Sequence, residues 1–473
     1  MNTSDNNSPQ GHHISRRTFL KAGAAGVVGL GVLTAGGKAA YDFMKTVDVR
    51  GRVLIIGGGA AGCSMAARLA RRIEHPDITI VDPSERQFYQ PGFTFVAAGI
   101  FQPSEVWRPQ KDCMPQGVHW LRDTVTALDP VKQTARTMGG KTLHYDFLVL
   151  CPGIQLDWGQ VEGITRDTLG RGNAHCIYDF EGAQKFWPAM QKLAKEGGRG
   201  VFTDTYTKHK CGGAPKKICM LTEHMARKMH NRDHVQVDYF CSEKALYDVP
   251  YYTPRLLQLY SERGIGLQVN CRVRGIDTQT KQVHMERHET RITRAWDSEA
   301  GREVEQEEVV VTPFVEDYDL LSFVPPQSAP DFIKQSGLSW TEGKLATGGW
   351  VMVDKETLVH TQYPNVISLG DCAGLPTSKT SSAIRMQLPI AEANLLQLMQ
   401  GQEPTHRYNG YACCPIVTDY GHVLLCEFDY EKRPDITFPF SVQDMSRERR
   451  TAWWLKRYFL KPMYFDAMLK GYM

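Results

Sequence analysis

One glycine-rich turn constrains the fold of this chain more than any other feature of its sequence. The pattern Gly57-x-Gly59-x-x-Gly62 follows an apolar run that begins at Arg52 and opens a helix-forming stretch, and a second apolar run, ITIVD, ends at Asp82. Glycines let the backbone approach a pyrophosphate, the helix N-terminus faces its charge, and an acid at this distance binds the ribose hydroxyls. We therefore predict a βαβ dinucleotide-binding unit whose cofactor contacts are Gly57, Gly59, Ala60, Ala61, Gly62 and Asp82.

Two later fragments resemble further parts of a flavin-binding domain. The stretch 144–153, HYDFLVLCPG, is typical of a buried strand running into a turn, and it resembles a flavoprotein signature with Cys-Pro where Ala-Thr is usual. The stretch 363–371, YPNVISLGD, resembles the strand whose terminal Gly370 and Asp371 bind the ribityl chain of FAD. The three fragments predict an α/β flavoprotein that binds FAD and whose FAD domain is interrupted by an insertion.

The insertion, roughly 159–315, has an α/β pattern of its own. In flavoproteins of this type that use NAD(P)H, the equivalent domain begins with its own GxGxxG. Here the equivalent turn, Lys208–Pro215, holds Cys211 and lacks that fingerprint. We therefore expect two Rossmann-like domains, of which the second binds no nicotinamide. The predicted boundaries are 1–46 for a signal segment, 47–158 for the first FAD part, 159–315 for the insertion, 316–400 for the second FAD part and 401–473 for a C-terminal region.

The N-terminus predicts export. Residues 15–21, SRRTFLK, closely resemble the twin-arginine motif, and an uncharged, mostly small and apolar stretch follows from Ala22 to Gly37. The order of charged, apolar and small residues is that of an export signal. We expect a periplasmic protein that is peripheral on the outer face of the cytoplasmic membrane, and we leave open whether the signal is cleaved.

The composition argues against other classes of protein. Lys and Arg number 55 against 52 Asp and Glu, a net charge of +3 that is too weak for a nucleic-acid binder working through a basic face. The 12 cysteines include no CxxC pair, so zinc-ribbon and thioredoxin-like motifs are missing, and we expect no metal site.

The C-terminal region ends in an amphipathic segment. Aromatic residues such as Trp453, Trp454 and Tyr458 alternate there with Arg and Lys, a pattern that suits the headgroup interface of a membrane. We expect a membrane contact through this segment. An ordinary helix packed on its own protein is the alternative. A homo-oligomer is left open.

Together these motifs resemble the sulfide:quinone oxidoreductases, near their mitochondrial-type branch. The resemblance covers nearly the whole chain from Arg52 to Met473, through segments such as 83–91 (PSERQFYQP), 210–218 (KCGGAPKKI), 370–380 (GDCAGLPTSKT) and 427–430 (EFDY). The family uses two redox cysteines beside the flavin, and the resemblance assigns them to Cys211 and Cys372. A third cysteine of some relatives falls at Cys176, where covalent attachment of FAD is left open. Further predicted cofactor contacts are Gln90, Val125, Lys379 and Thr380.

The activity implied by the resemblance is oxidation of sulfide. Sulfide opens a Cys211–Cys372 disulfide and leaves a persulfide on Cys372, and two electrons pass through FAD to a membrane quinone. Cys211 follows three basic residues and stands just before a helix, and both features favour its thiolate. Cys413 and Cys414 are expected to be an unbridged pair, since adjacent cysteines rarely meet disulfide geometry.

Two alternative functions stay open on the sequence. The export signal resembles that of the flavoprotein subunit of flavocytochrome c-type sulfide dehydrogenases, which would pass electrons to a cytochrome instead of a quinone. A flavin-binding protein without turnover is the other alternative, and the retention of both predicted redox cysteines argues against it.

Overall fold

The computed structural model describes residues 46–297 and 301–473, so the predicted twin-arginine motif at 15–21 lies outside the described residues. The strands are, in chain order, β1 Arg52–Ile56, β2 Asp77–Val81, β3 Arg86–Phe88, β4 Trp107–Pro109, β5 His119–Leu121, β6 Val125–Asp129, β7 Thr134–Thr137, β8 Thr142–His144, β9 Phe147–Leu150, β10 Gln155–Leu156, β11 Ala174–His175, β12 Gly198–Thr203, β13 Val235–Phe240, β14 Gly266–Gln268, β15 Cys271–Asp277, β16 Gln282–Asp297, β17 Arg302–Asp317, β18 Leu320–Ser322, β19 Gln327–Ser328, β20 Val366–Ser368, β21 Ala412–Asp419 and β22 His422–Phe428.

The α-helices alternate with these strands in the way that a fold with parallel sheets requires. They are α1 Ala60–Arg72, α2 Phe93–Ala97, α3 Gln110–Cys113, α4 Phe180–Glu196, α5 Ala214–Lys228, α6 Thr253–Glu262, α7 Asp331–Lys334, α8 Ser381–Met399, α9 Arg450–Trp454 and α10 Leu460–Met463. Two π-helical turns, Leu455–Phe459 and Tyr464–Met468, continue the last two helices.

The first sheet is parallel and has the strand order β20-β9-β1-β2-β5. Its central strands are buried, which explains why β1 and β9 read as continuous apolar runs. Helices α1 and α8 pack against each other. The strand β20 comes from far along the chain and pairs with β9, Val366 opposite Leu148. The sheet therefore joins the first and last of the three flavin-type fragments.

The second sheet is also parallel, with the order β11-β18-β12-β13-β14. Strand β18 lies between β11 and β12 and ends at Ser322. This sheet therefore extends beyond residue 315, where the sequence placed the end of the insertion. The loop between β12 and α5 carries Cys211, because the carboxyl end of a strand in such a sheet leads into the next helix.

Five smaller antiparallel sheets complete the described fold, and two of their hairpins are long. In the ribbon of β16 and β17, five large apolar side chains are exposed: Ile292, Trp296, Val309, Val311 and Val315. The hairpin of β21 and β22 is buried and packs against α5, which brings a second cysteine-bearing element to the Cys211 loop.

The C-terminal helical segment packs partly on its own chain. Trp453 stacks against Phe95 with ring centroids 5.4 Å apart, and Tyr464 donates a hydrogen bond of 3.0 Å to the carbonyl of Phe88. Trp454 and Tyr458 remain more than half exposed. Among the described residues, no helix has the length and apolar character needed to cross a membrane.

Candidate active site

The three flavin-type fragments meet at the carboxyl edge of the first sheet. A Cβ added to Gly57 would lie 2.4 Å from the carbonyl oxygen of Cys151, so the first turn presses directly on the second fragment. A Cβ on Gly370 would lie 3.4 Å from the Cβ of Ala61, so the third fragment lies beside the start of α1. These contacts bring together segments that are far apart in the chain.

The glycine turn has the shape that close approach of a phosphate requires. Gly57 has a φ of +101°, and a Cβ on Gly62 would lie 1.8 Å from the Gly57 carbonyl oxygen, so neither position tolerates a side chain. A Cβ on Gly59 would meet no protein atom within 4 Å, which leaves room for a ligand at the N-terminus of α1. The carboxylate of Asp82 accepts from the backbone N–H of Gly58 at 2.6 Å. The predicted acid therefore holds the turn itself.

Asp371 presents an unsatisfied polar group at this edge. Its Oδ1 atom is buried and has no hydrogen-bond partner among the described residues, and burial raises the pKa of this carboxyl. A buried acceptor without a partner is costly for a protein on its own. The hydroxyl groups of a ribityl chain would satisfy it. The glycine cradle and this acceptor together fit FAD.

The other predicted cofactor contacts have different surroundings. Lys379 donates to the carbonyl of Ala373 at 2.9 Å, and burial lowers the pKa of its ammonium to about 7. Thr380 caps α8 by accepting from the N–H of Ala383 at 3.1 Å. Gln90 accepts from the Nζ of Lys210 at 2.5 Å. Ala60 begins α1, and Val125 is buried at the start of β6.

The Cys211 loop is held against the FAD edge by its backbone. The N–H of Cys211 donates to the carbonyl of Lys379 at 2.9 Å, and the hydroxyl of Tyr178 donates to the carbonyl of Cys211 at 3.0 Å. Cys211 has a φ of +46°, a left-handed conformation that is uncommon for a residue with a side chain. Strain of this kind persists where the surroundings fix it, and it is frequent at functional sites.

The sulfur of Cys211 has two close partners. The Sγ of Cys414, on β21, lies 3.6 Å away, and the ammonium of Lys217 donates to the Cys211 sulfur at 3.2 Å. The hydrogen bond from Cys414 and the charge of Lys217 hold the pKa of Cys211 well below its usual range, against the effect of burial. The same hydrogen bond and burial raise the pKa of Cys414. The pair therefore consists of a thiolate at Cys211 and a thiol at Cys414.

A glycine makes this approach of the two sulfurs possible. A Cβ added to Gly213 would lie 2.5 Å from the Sγ of Cys414. The Cys-Gly-Gly sequence thus leaves space for the sulfur of the facing strand. In a β-strand, adjacent side chains point to opposite faces, so Cys414 faces the loop and Cys413 faces away from it.

Cys372 has other partners than Cys211. Its sulfur is fully buried and donates to the carbonyl of Leu150 at 3.3 Å, with the hydroxyl of Ser368 at 3.4 Å. Burial raises the pKa of Cys372 to about 11, so this sulfur keeps its proton at neutral pH. The structure thus brings the sulfur of Cys414, on β21, next to Cys211, whereas the predicted partner Cys372 bonds to Leu150 and Ser368; the Cys211–Cys372 pairing stays a prediction.

Cys176 is fully buried. Burial raises the pKa of its thiol to about 12, and Tyr178, two residues further on, is the residue that contacts Cys211. The neighbouring His175 is buried with neither ring nitrogen bonded within the described chain, and burial lowers the pKa of its ring to about 4. Burial thus favours the protonated thiol of Cys176, and its predicted catalytic role stays a prediction.

The C-terminal segment also reaches this site. Lys456 is buried with its ammonium 4.8 Å from the ring centroid of Phe95. Burial lowers the pKa of Lys456 to about 7, while the sulfurs of Cys211 and Cys414 favour its charged form. The segment that the sequence assigned to a membrane interface thus places a titratable amine near the sulfur pair.

Comparison with known proteins shows the family to which the chain belongs. The family model of the FAD dependent oxidoreductases matches residues 52–312. The mitochondrial sulfide:quinone oxidoreductase of Mus musculus is 36% identical over 89% of this chain and 86% of its own length. The chain belongs to the sulfide:quinone oxidoreductase family. The mitochondrial enzyme of Dictyostelium discoideum is also 36% identical, over the same shares of the two chains.

A solved structure gives the same fold. The sulfide:quinone oxidoreductase of Aquifex aeolicus superposes with a TM-score of 0.69 at 18% identity, covering 89% of this chain and 92% of the other. This match confirms the predicted α/β flavoprotein fold, while the family model and the mitochondrial relatives confirm the family and FAD as cofactor. The described residues contain no group of three or more His, Cys, Asp or Glu that could hold a metal ion.

Three residues of this site were not predicted from the sequence of this sulfide:quinone oxidoreductase family member: Cys414, Lys217 and Lys456. The sequence did contain an indication for Cys414, because two adjacent cysteines on a strand point their sulfurs to opposite faces of the sheet. Lys217 lies one turn into α5, where a lysine reaches back toward the residue before the helix. No sequence pattern places Lys456 beside Cys211, because that contact depends on how the C-terminal segment folds back.

Proposed function

We propose that this chain is a sulfide:quinone oxidoreductase that works through Cys211 and Cys414. The observation that carries the proposal is the 3.6 Å approach of the two sulfurs, with the ammonium of Lys217 on the Cys211 sulfur. The loop that holds Cys211 is bonded to the backbone of Lys379, beside the FAD edge. The names of the relatives supply the substrates, sulfide and a quinone.

In the oxidised state the two cysteines form a disulfide, which hydrosulfide opens. Hydrosulfide attacks the sulfur of Cys414, forms a persulfide there, and displaces Cys211 as a thiolate. The direction of opening follows from the pKa values, because the sulfur with the lower pKa is the better leaving group. Cys211 is that sulfur, since the ammonium of Lys217 beside it lowers its pKa and stabilises the released thiolate. The two electrons of the oxidised sulfide then reside on Cys211.

The return to the disulfide needs two acceptors. A thiol, sulfite or further sulfide attacks the outer sulfur of the Cys414 persulfide, carries that sulfur away and leaves the Cys414 thiolate. Cys211 and Cys414 then re-form their bond as two electrons leave the pair. FAD, when bound, supplies a two-electron acceptor that a quinone can reoxidise. Its contacts are proposed to be Gly57, Gly59, Gly62, Asp82 and Asp371.

Lys217 and Lys456 supply positive charge where hydrosulfide must arrive. Two ammonium groups beside a buried sulfur pair attract an anion and stabilise the thiolate that is released. Because the pKa of Lys456 is about 7, this amine can also give or take a proton near neutral pH. Both cysteines come from one chain, so the site is complete in a monomer and compatible with a homo-oligomer.

The C-terminal region is proposed to contact the membrane through its exposed aromatic residues. Trp454 and Tyr458 are exposed on the helical segment, and Phe438 and Val442 are exposed in the preceding loop. Truncation would also remove Lys456 from the site, so point variants are the appropriate test. Replacing Trp454 and Tyr458 by serine should reduce cosedimentation with anionic liposomes and leave bleaching of the flavin by sulfide unchanged. Unchanged sedimentation would refute the contact.

Export by the twin-arginine route to the periplasm is a further part of the proposal, and it rests on the sequence of residues 15–21. Replacing Arg16 and Arg17 together by lysine should retain the protein in the cytoplasm with its flavin bound. Continued appearance of the double variant in the periplasmic fraction would exclude this route.

One anaerobic experiment tests the activity. Sulfide should bleach the bound flavin, and a quinone analogue should restore its absorbance within the time of turnover. Reoxidation by cytochrome c with no response to quinone would favour the flavocytochrome alternative. Failure of sulfide to bleach the flavin would contradict the proposal, and it would leave the alternative of a flavin-binding protein without turnover.

A further inference from the structure

A buried ion pair lies directly behind the Cys211 loop. Asp204 follows the end of β12, and Lys216 lies in the first turn of α5. The Oδ2 of Asp204 and the Nζ of Lys216 are 3.0 Å apart, and their side chains are only 3% and 5% exposed. Neither residue belongs to the sulfur pair or to the FAD contacts described above.

The ion pair is embedded in a satisfied network of hydrogen bonds. The hydroxyl of Tyr239 donates to Asp204 Oδ2 at 2.9 Å, and the N–H of Ser242 donates to Asp204 Oδ1 at 2.7 Å. Lys216 donates to the hydroxyl of Tyr239 at 3.1 Å. Burial alone would raise the pKa of Asp204, but the charges of Lys216 and His209 and the bond from Ser242 bring it to about 2, so both members of the pair are charged at neutral pH.

One bond of Lys216 leads out of this network and into the Cys211 loop. Its ammonium donates to the carbonyl of Gly212 at 3.0 Å, one residue after Cys211. The next residue, Lys217, donates to the Cys211 sulfur itself. Two consecutive lysines thus hold the loop at two points. Lys216 binds the backbone carbonyl of Gly212, and Lys217 binds the sulfur of Cys211.

Stability alone does not account for charges at this depth. Removing a carboxylate and an ammonium from water is costly, and well-packed neutral side chains are often as stabilising as a buried ion pair. The loop, in contrast, needs support, because Cys211 is held in a left-handed conformation with a φ of +46°. A donor fixed by its own carboxylate provides a rigid anchor for the carbonyl beside that residue.

We propose that Asp204 and Lys216 are positioning residues that hold the Gly212 carbonyl and so keep the Cys211 sulfur between Lys217 and Cys414. Asp204 orients the ammonium of Lys216, and Lys216 fixes the loop. The inference deepens the proposed function, since it concerns the geometry of the same sulfur pair. The expected effect on turnover rests on the proposed function. The expected effect on the reactivity of the Cys211 thiol does not depend on any substrate.

The test compares the reactivity of Cys211 in reduced holoenzyme variants. In Lys216→Met the loop loses its anchor, and the Cys211 sulfur moves away from the ammonium of Lys217. Alkylation of Cys211 by iodoacetamide at the pH midpoint of the parent profile, followed by mass spectrometry of its peptide, should slow about fivefold, which corresponds to a rise of about one unit in its apparent pKa. Sulfide-dependent kcat should fall with little change in the KM for quinone.

A double variant separates positioning from stability. Asp204→Asn with Lys216→Met removes both charges and keeps an acceptor for the N–H of Ser242, so no unpaired charge is left in the core. We expect its melting temperature to recover toward that of the parent while alkylation of Cys211 stays slow. Recovery of the parent alkylation rate together with stability would overturn the proposal.

A matched control removes another ion pair of the same sheet. Arg199 binds Asp238 at 2.7 Å near the start of β12, away from the loop. Arg199→Met should leave the alkylation rate of Cys211 unchanged, and an equal loss there would overturn the positioning role. If the parent protein failed to oxidise sulfide but the Lys216→Met effect on alkylation remained, the proposed function would fall and the positioning role would stand.

Discussion

The charge of Lys217 should set the reactivity of Cys211, and replacing Lys217 by methionine tests this. Methionine keeps much of the buried aliphatic chain and removes the ammonium that lies 3.2 Å from the Cys211 sulfur. A hydrogen bond to a charged group is worth about 1.5–3 kcal/mol. One pKa unit corresponds to about 1.4 kcal/mol, so the pKa of Cys211 should rise by about 1–2 units.

The assay follows alkylation of Cys211 by iodoacetamide as a function of pH in the reduced protein. The midpoint of the profile should move upward in Lys217→Met, and the rate at the parent's midpoint pH should fall about 5- to 50-fold. Lys228→Met is the matched control, because Lys228 lies exposed at the far end of the same helix. A midpoint in Lys217→Met within about 0.3 units of the parent would refute the electrostatic explanation for the thiolate.

Three further predictions follow from individual contacts. Gly213→Ala should separate the two sulfurs, because its Cβ would lie 2.5 Å from the Cys414 sulfur. Disulfide formation, measured by mass spectrometry, should drop at least about tenfold while FAD stays bound. An intact disulfide would contradict this. Gly62→Ala should abolish FAD retention during gel filtration, because its Cβ would lie 1.8 Å from the Gly57 carbonyl, and full retention would contradict the cradle. Burial lowers the pKa of His175 to about 4, so the unfolded chain binds a proton at this ring more readily than the folded chain does. The free energy of unfolding should therefore fall as the pH drops from about 6.5 toward 4, by about 3 kcal/mol at most. His175→Leu should remove that part of the slope in urea unfolding at pH 5 and pH 7, and an unchanged slope would contradict the assignment.

The fold was predictable because its strongest constraints are local. Each flavin-type fragment is a short apolar run followed by a turn with small residues, and parallel strands in one sheet must end at one edge. That logic places Gly57 near Cys151 and Asp371 near α1 without any knowledge of the loops between them. The boundary at 315 was less predictable, because the short strand β18 carries only Leu320–Ser322 and returns to the second sheet after a long ribbon.

The partner of Cys211 could not be derived in the same way. The resemblance assigns this role to Cys372, beside Asp371 in the chain, but in the fold its sulfur donates to the carbonyl of Leu150. Cys414 lies 203 positions from Cys211 and meets it only because the β21 hairpin packs on α5. Contacts of this kind depend on tertiary packing, and sequence spacing carries little information about them.

The C-terminal segment shows a similar limit. Its alternation of aromatic and basic residues fits both a membrane surface and a helix packed on its own chain. In the structure it has features of both, since Tyr464 and Lys456 are buried while Trp454 and Tyr458 are exposed. Which side chains of such a helix become buried depends on the surface against which it packs, here the residues around Phe95.

The most direct test of the account compares three cysteine variants in sulfide-dependent quinone reduction. Cys414→Ser removes the sulfur that lies 3.6 Å from Cys211, Cys413→Ser removes its neighbour on the opposite face, and Cys372→Ser removes the sulfur beside Asp371. All three proteins should bind FAD. We predict that the Cys414 variant loses at least about a hundredfold in kcat, as expected when one member of a reactive pair is removed, while the other two keep close to the parent rate. A Cys414 variant at the parent rate beside an inactive Cys372 variant would contradict the Cys211–Cys414 mechanism and restore the pairing of Cys211 with Cys372.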